Sequence, residues 1–127
     1  PRQVPRLLDP ADAQLGRERA AAQGLHGEIW AARLGDTAIV GTPGEVFGEI
    51  GAAVRAASPA PVTIFAGYSN GVLGYIATPE EYPYGGYEPS VAQRGYAHPA
   101  PFSPDVAGII RDTSLELLAQ LFPEGRS

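Results

Sequence analysis

The sequence predicts an α/β fold: a small mixed sheet made of a β-hairpin and a strand-helix-strand unit, with a C-terminal covering helix. Three observations carry this expectation. Gly35-Asp36 is a two-residue turn of the hairpin type between two apolar runs. Ile39-Val40 and Val62-Thr63-Ile64-Phe65-Ala66 are short strand-forming runs separated by a helical stretch, an order that gives a right-handed crossover and parallel pairing. Near the C-terminus, Val106, Ile109, Ile110, Leu117, Leu118 and Leu121 recur at helical spacing behind Ser103-Pro104-Asp105.

Element by element, Pro1 to Leu8 has no periodicity and reads as an extended lead-in. Asp9-Pro10 is a helix start, with aspartate as N-cap and proline at the first helical position, and Gly24 is the stop. That first helix carries mostly alanine, arginine and glutamate, so it is expected to be peripheral. Residues 1–24 therefore form a lead-in and peripheral helix, and 25–127 the body of the domain. Gly27 to Leu34 and Thr37 to Gly41 are the hairpin strands. Thr42-Pro43-Gly44-Glu45 then opens a helix to about Ala57, with Val46, Ile50, Ala53, Val54 and Ala57 as its apolar stripe. The run from Val62 to Ala66 is expected to be a buried strand. Pro79-Glu80-Glu81-Tyr82 makes a helical turn capped by Thr78, and residues 90–101 show little regular pattern.

Composition narrows the function classes. The 127 residues suffice for one core, and 44% hydrophobic with 18% charged residues is a globular composition. A net charge of −5 without a basic cluster argues against nucleic acid as a partner. No apolar run approaches the roughly 20 residues of a transmembrane segment. With no cysteine there is neither a disulfide framework nor a thiolate metal site. The chain begins Pro1-Arg2-Gln3 and holds no methionine, which suggests a processed or truncated piece of a longer protein.

Two features could carry chemistry. Glu45 follows Thr42 at capping-box spacing, so a helix cap is the simple role for it. It also stands between the carboxyl end of a strand and a helix, where α/β sheets bind ligands and where a carboxylate can serve as metal ligand or general base. The second feature is tyrosine. All six lie between positions 68 and 96 (68, 75, 82, 84, 87 and 96), several beside glycines just after the second parallel strand. Packing explains most of them, with ring buried and hydroxyl wet. His26 and His98 show no ligand spacing and read as structural or solvent-exposed. Gly67-Tyr68-Ser69-Asn70-Gly71 has the outline of a nucleophile elbow but lacks the helix that should follow the serine.

Taken together, Thr42-Pro43-Gly44-Glu45, Gly67-Tyr68-Ser69-Asn70-Gly71 with Gly74-Tyr75-Ile76, and Gly86-Tyr87-Glu88 resemble the neutral/alkaline non-lysosomal ceramidase family, and more closely its short bacterial members. The resemblance runs from about Glu28 to the end of the chain and covers only the C-terminal part of the family's catalytic domain. It implies a zinc-dependent amidohydrolase acting on an N-acyl amide such as N-acylsphingosine. By matching motif positions it implies Glu45 and Tyr75 as zinc ligands, and Tyr87 as a catalytic group near the scissile carbonyl oxygen. In such a site zinc lowers the pKa of bound water towards ~7 and polarises the carbonyl, while a phenol can donate to the developing oxyanion.

The family's two histidine ligands precede the matched region, and neither His26 nor His98 stands at a matching position. The resemblance thus implies half of a metal site, with zinc expected only when histidines come from outside this chain, and no catalysis by the chain alone. Its partner would be the N-terminal half of the same catalytic domain or a second chain, and its compartment secreted or periplasmic. A non-catalytic binding or interaction domain that keeps the fold without the chemistry is the alternative.

Overall fold

The computed structural model describes residues 24–123 together with Gln14, Glu18 and Ala22. The lead-in and most of the first helix expected from the sequence lie outside the described residues; Gln14, Glu18 and Ala22 themselves are helical. Strands β1 (Trp30–Leu34) and β2 (Thr37–Gly41) form the expected hairpin, antiparallel with Trp30 opposite Gly41 and Leu34 opposite Thr37. Gly35 sits at φ +60, the left-handed conformation that the tight turn needs and that glycine adopts without strain.

Beyond β2 the chain makes a short strand β3 (Glu45–Val46), then helix α1 (Gly48–Ala57), then β4 (Val62–Ala66) and β5 (Tyr75–Ile76). β4 lies parallel to β2, Thr37 opposite Val62 and Gly41 opposite Ala66, so the three-stranded sheet has the order β1-β2-β4. β3 and β5 pair in parallel as a second, two-stranded sheet. A 3-10 helix over Pro79–Tyr84, helix α2 (Tyr87–Ser90) and a 3-10 turn at Ala92–Arg94 lead to the long helix α3 (Asp105–Leu121). The α/β class, the mixed sheet and the C-terminal covering helix are therefore as the sequence predicts.

Both sheets bury one side against α1 and α3. Ala38 and Val40 of β2, Val54 of α1, and Leu118 with Phe122 at the end of α3 form one buried cluster. Val46 and Ile76 of the small sheet pack into a second, around Ile50, Ala107 and Ile110. On α3 the buried line is Ala107, Ile110, Ser114 and Leu118, at intervals of three and four residues. Ile109, counted in the expected stripe, is 59% exposed and points outward. The buried Ser114 hydroxyl donates to Ile110 O at 2.6 Å, so it needs no other partner. Arg33 of β1 stacks over the Phe122 ring and donates to Leu121 O at 2.8 Å, which satisfies a carbonyl at the helix end.

Three expectations are corrected. Glu45 does not cap a helix: α1 starts three residues later, with Phe47 as N-cap and no side-chain cap bond. The cause is backbone pairing, because Glu45 N donates to Gly74 O at 2.9 Å and Phe47 N to Ile76 O at 3.0 Å. The Thr42 N–H that a capping box would satisfy already donates to Ala66 O at 3.0 Å. The α1 stripe is also narrower than expected, since Ile50 and Val54 are buried whereas Ala53 and Ala57 are exposed. Finally, β4 is not a buried strand, because Val62 and Ile64 are 52% and 49% exposed. Only its alternate residues Thr63 and Phe65 turn towards the helices, the period of two that any strand imposes.

Candidate functional site

The stretch from Thr42 to Gly44 is threaded between the segments that follow β4. Tyr68 N donates to Gly44 O at 3.0 Å, Ser69 N to Thr42 O at 2.9 Å and Leu73 N to Pro43 O at 2.9 Å. A Cβ at Gly44 would press on the Ile76 side chain at 2.8 Å and crowd Gly74 O at 3.1 Å, so glycine there eases the approach of the two loops. This contact sets the register of the small sheet, in which Glu45 stands directly opposite Tyr75 and Val46 opposite Ile76. Val46 and Ile76 turn into the helix-side core. Strand alternation therefore puts Glu45 and Tyr75 together on the other side, away from both helices.

Two phenols complete hydrogen bonds to the carboxylate. The Tyr68 hydroxyl donates to Glu45 Oε2 at 2.7 Å, and the Tyr96 hydroxyl donates to Glu45 Oε1. The Glu45 carboxyl consequently ionises below its ordinary range, chiefly through Tyr96, against a smaller opposing effect of burial, with Tyr68 and then Tyr75 adding to the stabilisation. The carboxylate raises its neighbours in turn: Tyr68, Tyr75 and Tyr96 all lose their protons less readily than a free phenol, with the bond or proximity to Glu45 as the main cause. The resting cluster is thus one anionic carboxylate among neutral phenols. A bound dication would act in the opposite sense on these phenols, since it favours the phenolate.

Of the residues singled out in the sequence, the fold brings Glu45 and Tyr75 together as strand partners. Tyr87, at the start of α2, packs edge-on against Tyr75 with ring centroids 5.9 Å apart. It is 56% exposed. The histidines do not join. His26 lies on an exposed segment ahead of β1, and His98 is 6% exposed, packed between Tyr96 and Phe102. Burial shifts the His98 imidazole towards its neutral form. Ser69 is not a nucleophile poised on a helix: its hydroxyl donates back to Ala66 O and Gly67 O, both at 3.3 Å.

Sequence reasoning missed Tyr68 and Tyr96 as partners of the carboxylate. Tyr68 is in a loop that follows the parallel strand, so its neighbourhood with Glu45 could have been read from topology. Tyr96 comes from the stretch without pattern, fifty-one positions from Glu45, and nothing local points to it.

The donor set can be tested against zinc. Glu45 and Tyr75 offer two oxygens on neighbouring strands, and among the described residues no group of three or more His, Cys, Asp or Glu could hold a metal ion. Structural and catalytic zinc sites need three or four protein ligands, usually with imidazole or thiolate among them. The cluster therefore falls short of the ligand set that a zinc site needs.

No protein-family model and no curated protein sequence matches this chain. Among solved structures it is similar to neutral ceramidase from Pseudomonas aeruginosa, with a TM-score of 0.60 and 24% identity over 78% of this chain and 16% of that one. It is similar to a ceramidase complexed with C2 as well, with a TM-score of 0.60 and 25% identity over 77% of this chain and 15% of that one. The fold is thus ceramidase-like, in line with the resemblance of the motifs, and the chain spans about a sixth of the length of those solved chains.

Proposed function

We propose that this chain is part of a zinc-dependent amidohydrolase resembling neutral ceramidase, and that it contributes half of the metal site. In this reading Glu45 and Tyr75 are oxygen ligands, and Tyr87 is the phenol that donates to the oxygen of the scissile amide. The remaining ligands are histidines from outside this chain, supplied by the N-terminal half of the same catalytic domain or by a second chain. The bond broken is an N-acyl amide, with N-acylsphingosine as the representative substrate. Residues 25–127 belong to this catalytic unit, and 1–24 form its lead-in.

One observation supports the reading above the others. Glu45 and Tyr75, thirty residues apart in the chain, are exact strand partners on the side turned away from the helices. Glu45 is anionic at neutral pH, as a metal ligand has to be. Two oxygen ligands alone bind zinc weakly, so the isolated chain should retain no stoichiometric zinc after dialysis and hydrolyse no amide. It should still show zinc-dependent shifts of the Glu45 and Tyr75 signals in nuclear magnetic resonance spectra at millimolar zinc. Tight zinc retention, amidase activity of the isolated chain, or the absence of any shift at Glu45 and Tyr75 would each sink the proposal.

The second reading, a binding or interaction domain without chemistry, is favoured by a different observation. The side of the large sheet opposite the helices carries Leu34, Val62 and Ile64 at 74%, 52% and 49% exposure. Exposed apolar groups gathered on one face mark interaction surfaces. The two readings separate on the coding sequence upstream of Pro1, which either encodes a histidine-containing ceramidase-like half or does not.

A further inference from the structure

The loop that presents Tyr68 carries the chain's single asparagine, Asn70, followed by Gly71. The backbone is fastened on both sides of this pair. Ahead of it, Tyr68 N–H donates to Gly44 O at 3.0 Å and Ser69 N–H to Thr42 O at 2.9 Å; behind it, Leu73 N–H donates to Pro43 O at 2.9 Å. In between, the N–H groups of Gly71 and Val72 make no hydrogen bond to another described residue. Asn70 is exposed and sits at φ +60, in the left-handed region that asparagine tolerates better than most residues. Gly71 follows at φ +125, and a Cβ built there would meet nothing within 4 Å, so the space beside its backbone is open. Among the described residues the Asn70 side chain has one partner: Nδ2 donates to Glu28 Oε2 at 3.0 Å, in the segment ahead of β1.

We propose that Asn70 is a site of spontaneous deamidation, and that the carboxylate so formed unfastens the Tyr68 loop from Glu28. Water is the only co-reactant. The Gly71 nitrogen attacks Cγ of Asn70, and the new N–Cγ bond closes a five-membered succinimide. The Cγ–Nδ2 bond breaks, and ammonia leaves with the proton that the Gly71 N–H gives up. Water then opens the ring at either carbonyl and returns a proton to the nitrogen. Opening at Cγ gives aspartate; opening at the main-chain carbonyl gives isoaspartate, whose main chain runs through Cγ. No group is oxidised or reduced. Three features of the loop favour the step. The Gly71 N–H can lose its proton without giving up a protein hydrogen bond. Glycine sets no side chain against the attacking nitrogen. The bond to Glu28 joins exposed groups, so water readily replaces it. In the product a carboxylate faces the Glu28 carboxylate where a donor had been, and like charges repel. Isoaspartate also lengthens the main chain by one carbon between the fastened points at Ser69 and Leu73.

The test holds the whole chain at mildly alkaline pH, folded in one sample and unfolded in guanidinium chloride in another, and follows peptide masses and ammonia release with time. Because Asn70 is the only asparagine, an amide-to-acid change in its peptide is assigned directly, and fragmentation separates isoaspartate from aspartate. The folded chain should convert at Asn70 within a few-fold of the unfolded rate, chiefly to isoaspartate. A folded chain that keeps its amide, whether or not the unfolded one loses it, would overturn the proposal. Asn70→Gln retains an amide but needs a six-membered ring, so it should hold the parent mass over the same interval; equal conversion would overturn the ring mechanism. Glu28→Ala removes the restraint on the amide and should speed the loss, whereas an unchanged or slower rate would overturn the part given to Glu28. Asn70→Asp places the product carboxylate directly. It should speed hydrogen exchange at the Ser69 and Leu73 N–H groups and leave that of Val40 in β2 as in the parent; unaltered exchange at Ser69 and Leu73 would overturn the unfastening.

Discussion

The two faces of the β1-β2-β4 sheet carry similar residues and live in opposite surroundings. On the helix side, Ala38 and Val40 of β2 are fully buried and meet Val54 and Leu118, which are fully buried too. On the other side, Leu34, Val62 and Ile64 are half to three-quarters exposed, and Trp30 lies flat over Gly41, whose missing side chain makes room for the ring. Apolar character alone therefore says little about which face of this sheet is the core. The helices decide it, because α1 and α3 both lie on the side of Ala38 and Val40. The Glu45 cluster lies on the small sheet, on the side opposite the core residues Val46 and Ile76.

The comparison can be broken most sharply from the covered side. Ile110→Asp places a charge among Ile50, Ile76 and Ala107 and should cost about 4 kcal/mol or more, read as lowered melting temperature and denaturant midpoint. Leu118→Ala opens a cavity under β2 and should cost about 3 kcal/mol in the same measurements. If either variant melted like the parent, α3 would not be holding the sheet.

An acid titration probes the site side. The Glu45 carboxyl ionises below the 4.5 of the ordinary group, chiefly through the Tyr96 bond. Its stabilising effect is therefore complete above that value and is lost as pH falls through the lower, folded-state value. Tyr96→Phe should flatten this part of the stability profile and leave the profile above neutral pH unchanged in shape. An unaltered acid limb would show that the phenol does not favour the ionised form.

The smallest effect belongs to the open face. Leu34→Lys should change stability by no more than about 0.5 kcal/mol, since the side chain is already in water. A loss comparable to that of Leu118→Ala would mean that something covers this face in solution, and would sharpen the case for an interaction surface.

Much of the architecture was legible because it depends on local chemistry. The Gly35-Asp36 turn can close a hairpin, the spacing around Ile110 and Leu118 can only be one side of a helix, and a helix between two strands favours their parallel pairing. The capping box at Thr42 to Glu45 misled for an equally physical reason. Its residues suit a helix start, but the backbone groups they would satisfy were taken by Ala66 and Gly74 from another part of the chain. The burial of β4 was misjudged because β-branched residues signal a strand without saying which of its faces is covered.

The chain by itself determined the hairpin, the strand-helix-strand order, the C-terminal helix, and the unusual concentration of tyrosines after position 67. Only the tertiary structure decided that Glu45 is a strand residue, that its register partner is Tyr75, and that Tyr68 and Tyr96 take one carboxylate oxygen each. The reason is range. Turns, caps and helical stripes are settled by residues three or four positions apart, whereas this cluster joins positions 45, 68, 75 and 96. Those positions meet only after two parallel strands and the loops beyond them have packed against α1 and α3.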